Sequence, residues 1–257
     1  MPFVRIGEKK IHFKEEARHP GLLPVILIHG AGGSSNIWLR QIKALEESFH
    51  VLAVDLPGHG YSGGNGEKTV GDYARCVSSL LDAFDFQEVS LVGHSMGGAV
   101  AMTLAVSEPG RVRRLVLAGS GARLRVPREV FEALARDFQE AIRVICRYAY
   151  SPHFPTYLLS LGEAEMGRSC PDVLLRDLAA CDKFDIRPEL SKIKAQSMML
   201  CGREDRFTPP ELSCYLRDNL PNSRLEIIEG AGHMAMIEET GAFNQALVPF
   251  LGQPISS

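Results

Sequence analysis

The chain has 257 residues, of which 45% are hydrophobic and 23% are charged, and its formal net charge is −3 at pH 7. These proportions are those of an ordinary soluble globular protein, long enough to bury a substantial core, and they exclude a disordered chain. The small negative charge, with no dense basic cluster interleaved with aromatic residues, argues against nucleic acid as a partner.

Targeting and redox signals are equally plain. No stretch approaches 18 consecutive apolar residues, and residues 1–20 carry charges throughout, without the apolar core of a secretory signal. The six cysteines are scattered, with no C-x-x-C pair and no histidine at metal-ligand spacing. We therefore expect a cytoplasmic protein with free thiols, no structural metal and no membrane partner.

The first half of the chain alternates strands and helices. Phe3–Ile6 and Lys10–Phe13 predict a hairpin at the sheet margin, whereas Val25–Ile28 and Val51–Val54 are too uniformly apolar for exposed strands and predict central ones. Helices follow these two central strands, and the second of them begins near Thr69.

Two more buried strands follow, one beginning at Val89 and one at 112–118. The order strand, helix, strand, helix, strand, helix, strand favours a mostly parallel sheet with helices on both faces. The alternation of strands and helices then ends, because residues 121–190 contain no buried strand and only helical patterns. Five apolar residues share one predicted helical face: Val130, Leu134, Phe138, Ile142 and Ile145.

The sheet resumes at Ser197–Cys201 and continues with a strand at 225–228, each followed by a helix. We therefore predict an α/β fold: residues 1–120 and 191–257 form one core domain, and residues 121–190 form a helical cap inserted after the sixth strand.

The stretch Val89–Gly98, VSLVGHSMGG, contains G-x-S-x-G at the predicted junction of a strand and a helix. A sharp turn there lifts the serine off the sheet edge, and the glycines let strand and helix backbones pass closely. Ser95 is therefore a candidate nucleophile.

A serine hydroxyl needs a base within hydrogen-bond reach and a third group that orients the base. Asp205 and His233 suit these roles, since each follows the carboxyl end of a predicted parallel strand, the edge where ligands bind in open α/β sheets. The reaction also needs N–H donors for the developing oxyanion. We assign these to the backbone amides of Ala31, in the small-residue loop after the first central strand, and Met96, at a helix start.

These motifs make the sequence resemble the α/β-hydrolase superfamily, close to its branch of carboxylesterases, enol-lactone hydrolases and carbon–carbon bond hydrolases. The matching motifs are HGAGGSS at 29–35, DLPGHGYS at 55–62, GHSMGG at 93–98, GREDRFTPP at 202–210 and GAGHM at 230–234. The order serine, aspartate, histidine, with a cap between the first two, is the one the resemblance implies. In the cap region only CDKFD at 181–185 resembles that branch, and in this superfamily the cap largely sets substrate choice.

The residue at the nucleophile position limits the classes of reaction that the site can catalyse. Haloalkane dehalogenases and epoxide hydrolases of this fold carry an aspartate there, whereas Ser95 favours acyl transfer. Cofactor-free haloperoxidases share the serine triad, so perhydrolysis remains open beside hydrolysis.

Several other residues attract attention but have ordinary structural interpretations. His29, His59 and His94 are expected to order loops rather than act as the base. Structural or surface roles are likewise expected for Asp55, Trp38, Asp182, Asp185, Arg123 and Arg125, the last two having a carboxylate clamp as the alternative.

The sequence therefore predicts a cofactor-free serine hydrolase that cleaves carboxylic esters of small molecules, with an apolar pocket under the cap. One alternative is a lactone or carbon–carbon bond hydrolase with the same triad. An alternative from another class is a small-molecule receptor on a hydrolase fold.

Overall fold

A single eight-stranded sheet organises the chain in the computed structural model, which describes residues 2–18 and 22–253. The strands are β1 (Phe3–Ile6), β2 (Lys9–Glu16), β3 (Val25–Ile28), β4 (Val51–Val54), β5 (Val89–His94), β6 (Val112–Ala118), β7 (Gln196–Gly202) and β8 (Ser223–Ile228). Their spatial order is β1-β2-β4-β3-β5-β6-β7-β8. The β1–β2 and β2–β4 pairs are antiparallel and all the others are parallel, which confirms the predicted mostly parallel α/β sheet with a marginal hairpin.

Helices cover both faces of this sheet. They are α1 (Leu39–Leu45), α2 (Val70–Ala83), α3 (Met96–Ser107), α4 (Arg128–Arg136), α5 (Phe138–Ala149), α6 (Thr156–Met166), α7 (Pro171–Lys183), α8 (Pro210–Asn219), α9 (Ala235–Glu238) and α10 (Thr240–Gly252). Short 3₁₀ segments lie at Ser35–Trp38 and Arg187–Lys192. No helix in the described ranges has the length and hydrophobicity needed to cross a membrane.

Strand β3 illustrates how both faces of the sheet are buried. Alternate side chains of a strand point to opposite faces. Ile26 and Ile28 belong to the core under α2 and α3, whereas Val25 and Leu27 belong to the core under α1 and α10. All four are fully buried, which explains the unbroken apolar run in the sequence.

The parallel strands place their carboxyl ends at one edge of the sheet. The loops that leave this edge after β3, β5, β7 and β8 carry the candidate residues Ala31, Ser95, Asp205 and His233. Residues that are distant along the chain thus reach one rim because the strands that carry them share a direction.

Four helices, α4 to α7, lie between the adjacent strands β6 and β7, and we call them the inserted helices. The apolar face predicted to run from Val130 to Ile145 is divided between α4 and α5. Asp137 causes the break: its backbone is extended, and its carboxylate accepts a 2.7 Å hydrogen bond from the Glu140 amide, which caps α5. Four of the five residues pack in one apolar cluster and Ile142 packs in a second one. The prediction of apolar helical residues in this segment is confirmed, and the prediction of a single face is wrong.

The ends of the inserted segment are fastened to each other. Arg123 and Asp185 form an isolated β-bridge, and their side chains lie 3.9 Å apart. Asp182 accepts a hydrogen bond from the amide of Val126 and lies 3.8 Å from the guanidinium of Arg125. The points where the chain leaves and rejoins the sheet are thus in direct contact with each other.

Candidate active site

Ser95 occupies a tight turn between β5 and α3. Its backbone has φ +53° and ψ −117°, a conformation that L-residues rarely adopt and that costs on the order of 1–3 kcal/mol. Ser95 is also the one partly exposed residue in the stretch 89–100, where all the others are buried. The strain holds a single hydroxyl at the sheet edge, as expected for a nucleophile.

The glycines on either side make this turn possible. A Cβ on Gly93 would lie 2.2 Å from the carbonyl oxygen of Gly97, and one on Gly97 would lie 2.3 Å from the carbonyl oxygen of Ile28. Both obstacles are backbone atoms, so no side-chain movement would relieve them. The G-x-S-x-G pattern is therefore a packing requirement of the junction of β3, β5 and α3.

His233 and Asp205 are hydrogen-bonded. His233 Nδ1 donates to Asp205 Oδ2 over 2.8 Å, and the two side chains are 6% and 0% exposed. The other oxygen of Asp205 accepts from the amides of Phe207 and Thr208 at 2.9 and 2.8 Å. These donors hold the carboxylate in a fixed orientation, in which it can orient the imidazole.

Thr208 is a third member of this group that the sequence reasoning did not single out. Its hydroxyl donates to Asp205 Oδ2 over 2.7 Å and lies 3.2 Å from His233 Nδ1. It therefore holds one oxygen of the carboxylate while the backbone amides hold the other. The available signal was its position three residues after Asp205 within the motif GREDRFTPP.

The loop after β3 offers the amide of Ala31 to a substrate oxygen, whereas two neighbouring amides are already bonded. The amide of Gly33 donates to the carbonyl of Gly30 and that of Gly32 donates to Asp177. Within the described part of the chain, the amide of Ala31 donates to no protein acceptor. The amide of Met96, the first residue of α3, likewise has no intrahelical acceptor. Both amides keep the donor capacity that an oxyanion hole requires.

A cavity of about 1000 Å³ opens at this edge of the sheet, between the strand ends and the inserted helices. Ala31, Ser95 and His233 line it, whereas Asp205 lies behind His233 and Met96 is fully buried. Its apolar wall is formed by residues of several elements, among them Leu124, Ile145, Leu158, Leu174, Phe154 and Phe207. The geometry brings the candidate nucleophile and base to one solvent-accessible space with apolar walls.

His29 and His94 are buried and neutral. His29 donates from Nδ1 to the carbonyl of Gly30 and accepts at Nε2 from the amide of Leu56, while burial lowers its pKa to about 4. His94 donates from Nε2 to the carbonyl of His233 over 3.1 Å, and burial and the neighbouring His233 hold its pKa well below the usual range. Their contacts are those of loop-ordering residues, as the sequence led us to expect.

His59 differs from these two histidines because its pKa is raised and not lowered. Its Nδ1 donates to the carbonyl of Pro57 and its Nε2 to Asp177 Oδ2 at 2.7 Å, so both ring nitrogens carry protons. The carboxylate of Asp177 raises the pKa of His59 in spite of complete burial. The imidazolium and the carboxylate therefore form a buried ion pair. Sequence analysis did not single out this pair, because the pattern around Asp177 is that of an ordinary amphipathic helix.

The other residues weighed on sequence have structural contacts. Asp55 accepts hydrogen bonds from the amides of Ser35 and Tyr61 and from His12, and none from His233. Trp38 is fully buried and lies against Phe243. The two ends of the inserted segment are linked by the side chains of Asp182, Asp185, Arg123 and Arg125.

Neither disulfides nor metal clusters occur among the described residues. All six cysteines are free, and no group of three or more histidine, cysteine, aspartate or glutamate side chains is arranged to hold a metal ion.

Comparison with known proteins agrees with this geometry. The model of the alpha/beta hydrolase family matches residues 25–246. The chain is 31% identical to the 2-hydroxy-6-oxononadienedioate/2-hydroxy-6-oxononatrienedioate hydrolase of Escherichia coli O139:H28, over 95% of this chain and 92% of that protein. It is 29% identical to the 2-hydroxy-6-oxo-6-phenylhexa-2,4-dienoate hydrolase of Comamonas testosteroni, over 98% and 96%.

Among solved structures, a thermophilic esterase superposes with a TM-score of 0.86 at 31% identity and covers 98% of this chain and 96% of its own. The family match spans most of the sheet, from β3 to α10, and includes every candidate residue described above. The chain belongs to the alpha/beta hydrolase family and is a hydrolase.

Proposed function

We propose that this hydrolase cleaves carboxylic esters of small apolar molecules through an acyl-enzyme formed on Ser95. The observation that carries the proposal is the strained Ser95 turn, which opens into the same cavity as an imidazole held by a buried carboxylate. The likeness to a thermophilic esterase supports the same reaction class.

In the proposed mechanism, Ser95 Oγ attacks the ester carbonyl while His233 takes its proton. Because Nδ1 of His233 is bonded to Asp205, Nε2 is the ring nitrogen available to accept that proton. The amides of Ala31 and Met96 stabilise the oxyanion, and His233 returns the proton to the departing alkoxide. Water then repeats the attack on the acyl-enzyme, with His233 again as base, and releases the acid. This cycle needs no metal or organic cofactor.

We further propose that residues 121–190 serve as a cap that shapes the substrate pocket. The inserted helices supply much of the apolar cavity wall. The arginines that line the cavity have acceptors: Arg40 bonds to the carbonyl of Ile237, Arg125 lies beside Asp182, and Arg168 beside Glu165. Guanidinium groups already paired in this way favour a neutral substrate over a carboxylate.

The test is hydrolysis of p-nitrophenyl esters from acetate to octanoate by wild type and Ser95→Ala. We expect the substitution to reduce kcat by at least about 10³-fold. Ser107→Ala is the matched control, since Ser107 is an exposed residue at the other end of α3. Equal turnover by wild type and Ser95→Ala would refute the assignment of the nucleophile.

A second candidate function is cleavage of a lactone or a carbon–carbon bond by the same site. The similarity to two dienoate and dienedioate hydrolases over nearly the whole chain favours it. Lactones and 2-hydroxy-6-oxodienoates belong in the same assay, read by release of acid. Turnover of these compounds without turnover of any ester would replace the first proposal by the second. Binding of the panel with negligible turnover would instead support a receptor.

A further inference from the structure

Asp177, in the middle of α7, is the one inserted-helix carboxylate that is completely buried against the sheet core. Its Oδ2 accepts hydrogen bonds from the amide of Gly32 at 2.9 Å and from His59 Nε2 at 2.7 Å. Its Oδ1 accepts from the hydroxyl of Tyr73 on α2. Three donors from three separate parts of the core therefore converge on a single side chain of the inserted helices.

The hydrogen bond from His59 holds this carboxylate in place. Buried carboxylate oxygens need hydrogen-bond donors, and a charged donor such as an imidazolium binds them more strongly than a neutral one. His59 is itself fixed by its second donation, to the carbonyl of Pro57. The Asp177 oxygen that accepts from Gly32 is thus held from two directions, by its own helix α7 and by His59 in the core.

Helix α7 meets the loop after β3 at two points. One is the hydrogen bond from Gly32 to Asp177. The other is Leu174, one turn earlier, whose Cδ1 would lie 2.8 Å from a Cβ on Gly32. Gly32 has φ +63°, one of several conformations open to a glycine, so its contacts with α7 help to select this one. The adjacent amide, that of Ala31, donates to no protein acceptor in the described part of the chain.

We propose that Asp177 is a positioning residue for the oxyanion hole, which it acts on through Gly32. The inference rests on the proposed function, in which Ala31 donates to the oxyanion. The Gly32 N–H lies in the peptide plane that joins Ala31 to Gly32, and this plane meets the plane that carries the Ala31 N–H at the Ala31 Cα. By holding the Gly32 amide, the carboxylate restricts rotation about the Ala31 Cα and thereby the direction of the Ala31 N–H. An inserted helix, rather than strand β3 alone, then determines how well the site stabilises the transition state.

Three variants separate positioning from general support of the fold. Asp177→Ala removes the acceptor of Gly32. Asp177→Asn keeps an oxygen for Gly32 and loses the charge that holds His59. Tyr73→Phe removes one donor to the same carboxylate, in the same buried cluster, and leaves the Gly32 contact intact.

We expect kcat losses in that order. Asp177→Ala should lose on the order of 10- to 100-fold, part of the 10²- to 10³-fold that removal of an oxyanion donor costs. Asp177→Asn should lose about fivefold and Tyr73→Phe less than about threefold, with KM within about twofold in all three, because an interaction made only in the transition state affects kcat. Thermal unfolding of each variant is measured in parallel.

A second readout is independent of turnover. An aryl trifluoromethyl ketone adds to Ser95 and forms an oxyanion, whereas the parent methyl ketone binds without this step. The inhibition constant of the methyl ketone divided by that of the trifluoromethyl ketone should fall in Asp177→Ala by the same factor as kcat, and it should stay near the wild-type value in Tyr73→Phe.

The outcomes distinguish this inference from the proposed function. If Ser95→Ala abolishes turnover and Asp177→Ala stays within about threefold of wild-type kcat, the inference alone is overturned. The inference would also be overturned if the loss of kcat were proportional to the drop in melting temperature, with the same proportion in Asp177→Ala and Tyr73→Phe. Such a result would indicate that Asp177 only supports the fold. If Asp177→Ala does not fold, a loss in Asp177→Asn no larger than in Tyr73→Phe overturns it. Activity retained by Ser95→Ala overturns both.

Discussion

Substitution of Gly93 by alanine tests whether close packing around the Ser95 turn is needed for activity. The added Cβ would lie 2.2 Å from the carbonyl oxygen of Gly97 and 2.5 Å from the amide nitrogen of Gly98. Ordinary van der Waals contact begins at 3.4 Å, so the end of β5 and the start of α3 must separate by 1.2 Å. A shift of about 1 Å at a reacting group costs on the order of 100-fold in rate, and overpacking costs about 1–3 kcal/mol of stability.

The assay is kcat/KM with the best p-nitrophenyl ester, accompanied by urea unfolding. We expect Gly93→Ala to fold with reduced stability and to lose about 100-fold in kcat/KM. Gly241→Ala is the control, because that glycine lies in α10 with no atom within 4 Å of an added Cβ. A Gly93→Ala enzyme within about threefold of wild type would refute the argument that backbone contact holds Ser95 in place.

Two further predictions concern stability. Gly60 and Gly7 have nearly the same positive φ, +52° and +56°, but only at Gly60 would a Cβ collide, 2.2 Å from the buried Asp55 carboxylate. Gly60→Ala should therefore cost at least about 1 kcal/mol more than Gly7→Ala in urea unfolding, and equal losses would contradict this. The folded-state pKa of His29 is lowered from 6.5 to about 4, so its contribution to stability is present above pH 6.5 and lost as the pH falls towards 4. Urea unfolding should show a larger loss over this range in wild type than in His29→Gln, and parallel pH profiles would count against burial as the cause.

Much of the fold was readable from local pattern. The uniformly apolar segments at 25–28 and 51–54 predicted central strands because a strand covered on both faces has no polar side, and they are fully buried. Thr69 begins α2 as predicted, with its hydroxyl accepting from the Asp72 amide. Helix α6 was not predicted, because its apolar residues are spread around the helix instead of forming one stripe, and none of its residues is buried.

The candidate triad and oxyanion amides were predictable to the extent that they lie in contiguous motifs at the carboxyl ends of strands. Their assignment to roles stays a prediction until the Ser95 experiment is done. Thr208 was within reach of the same reasoning, since it lies three residues from Asp205. For Asp177 the sequence showed only a position on the apolar face of a helix, and not what its carboxylate contacts.

The sequence by itself determined the order of the eight strands, the sharp turn at Ser95 and the loops on which the candidate residues lie, because these depend on side-chain periodicity and on residues a few positions apart. Only the tertiary structure decided which buried charges meet. Asp177 lies 145 residues from Gly32, 118 from His59 and 104 from Tyr73 along the chain. Such contacts follow from the packing of α7 against the sheet edge, and side-chain periodicity within α7 shows that Asp177 shares a face with buried residues without showing what that face touches.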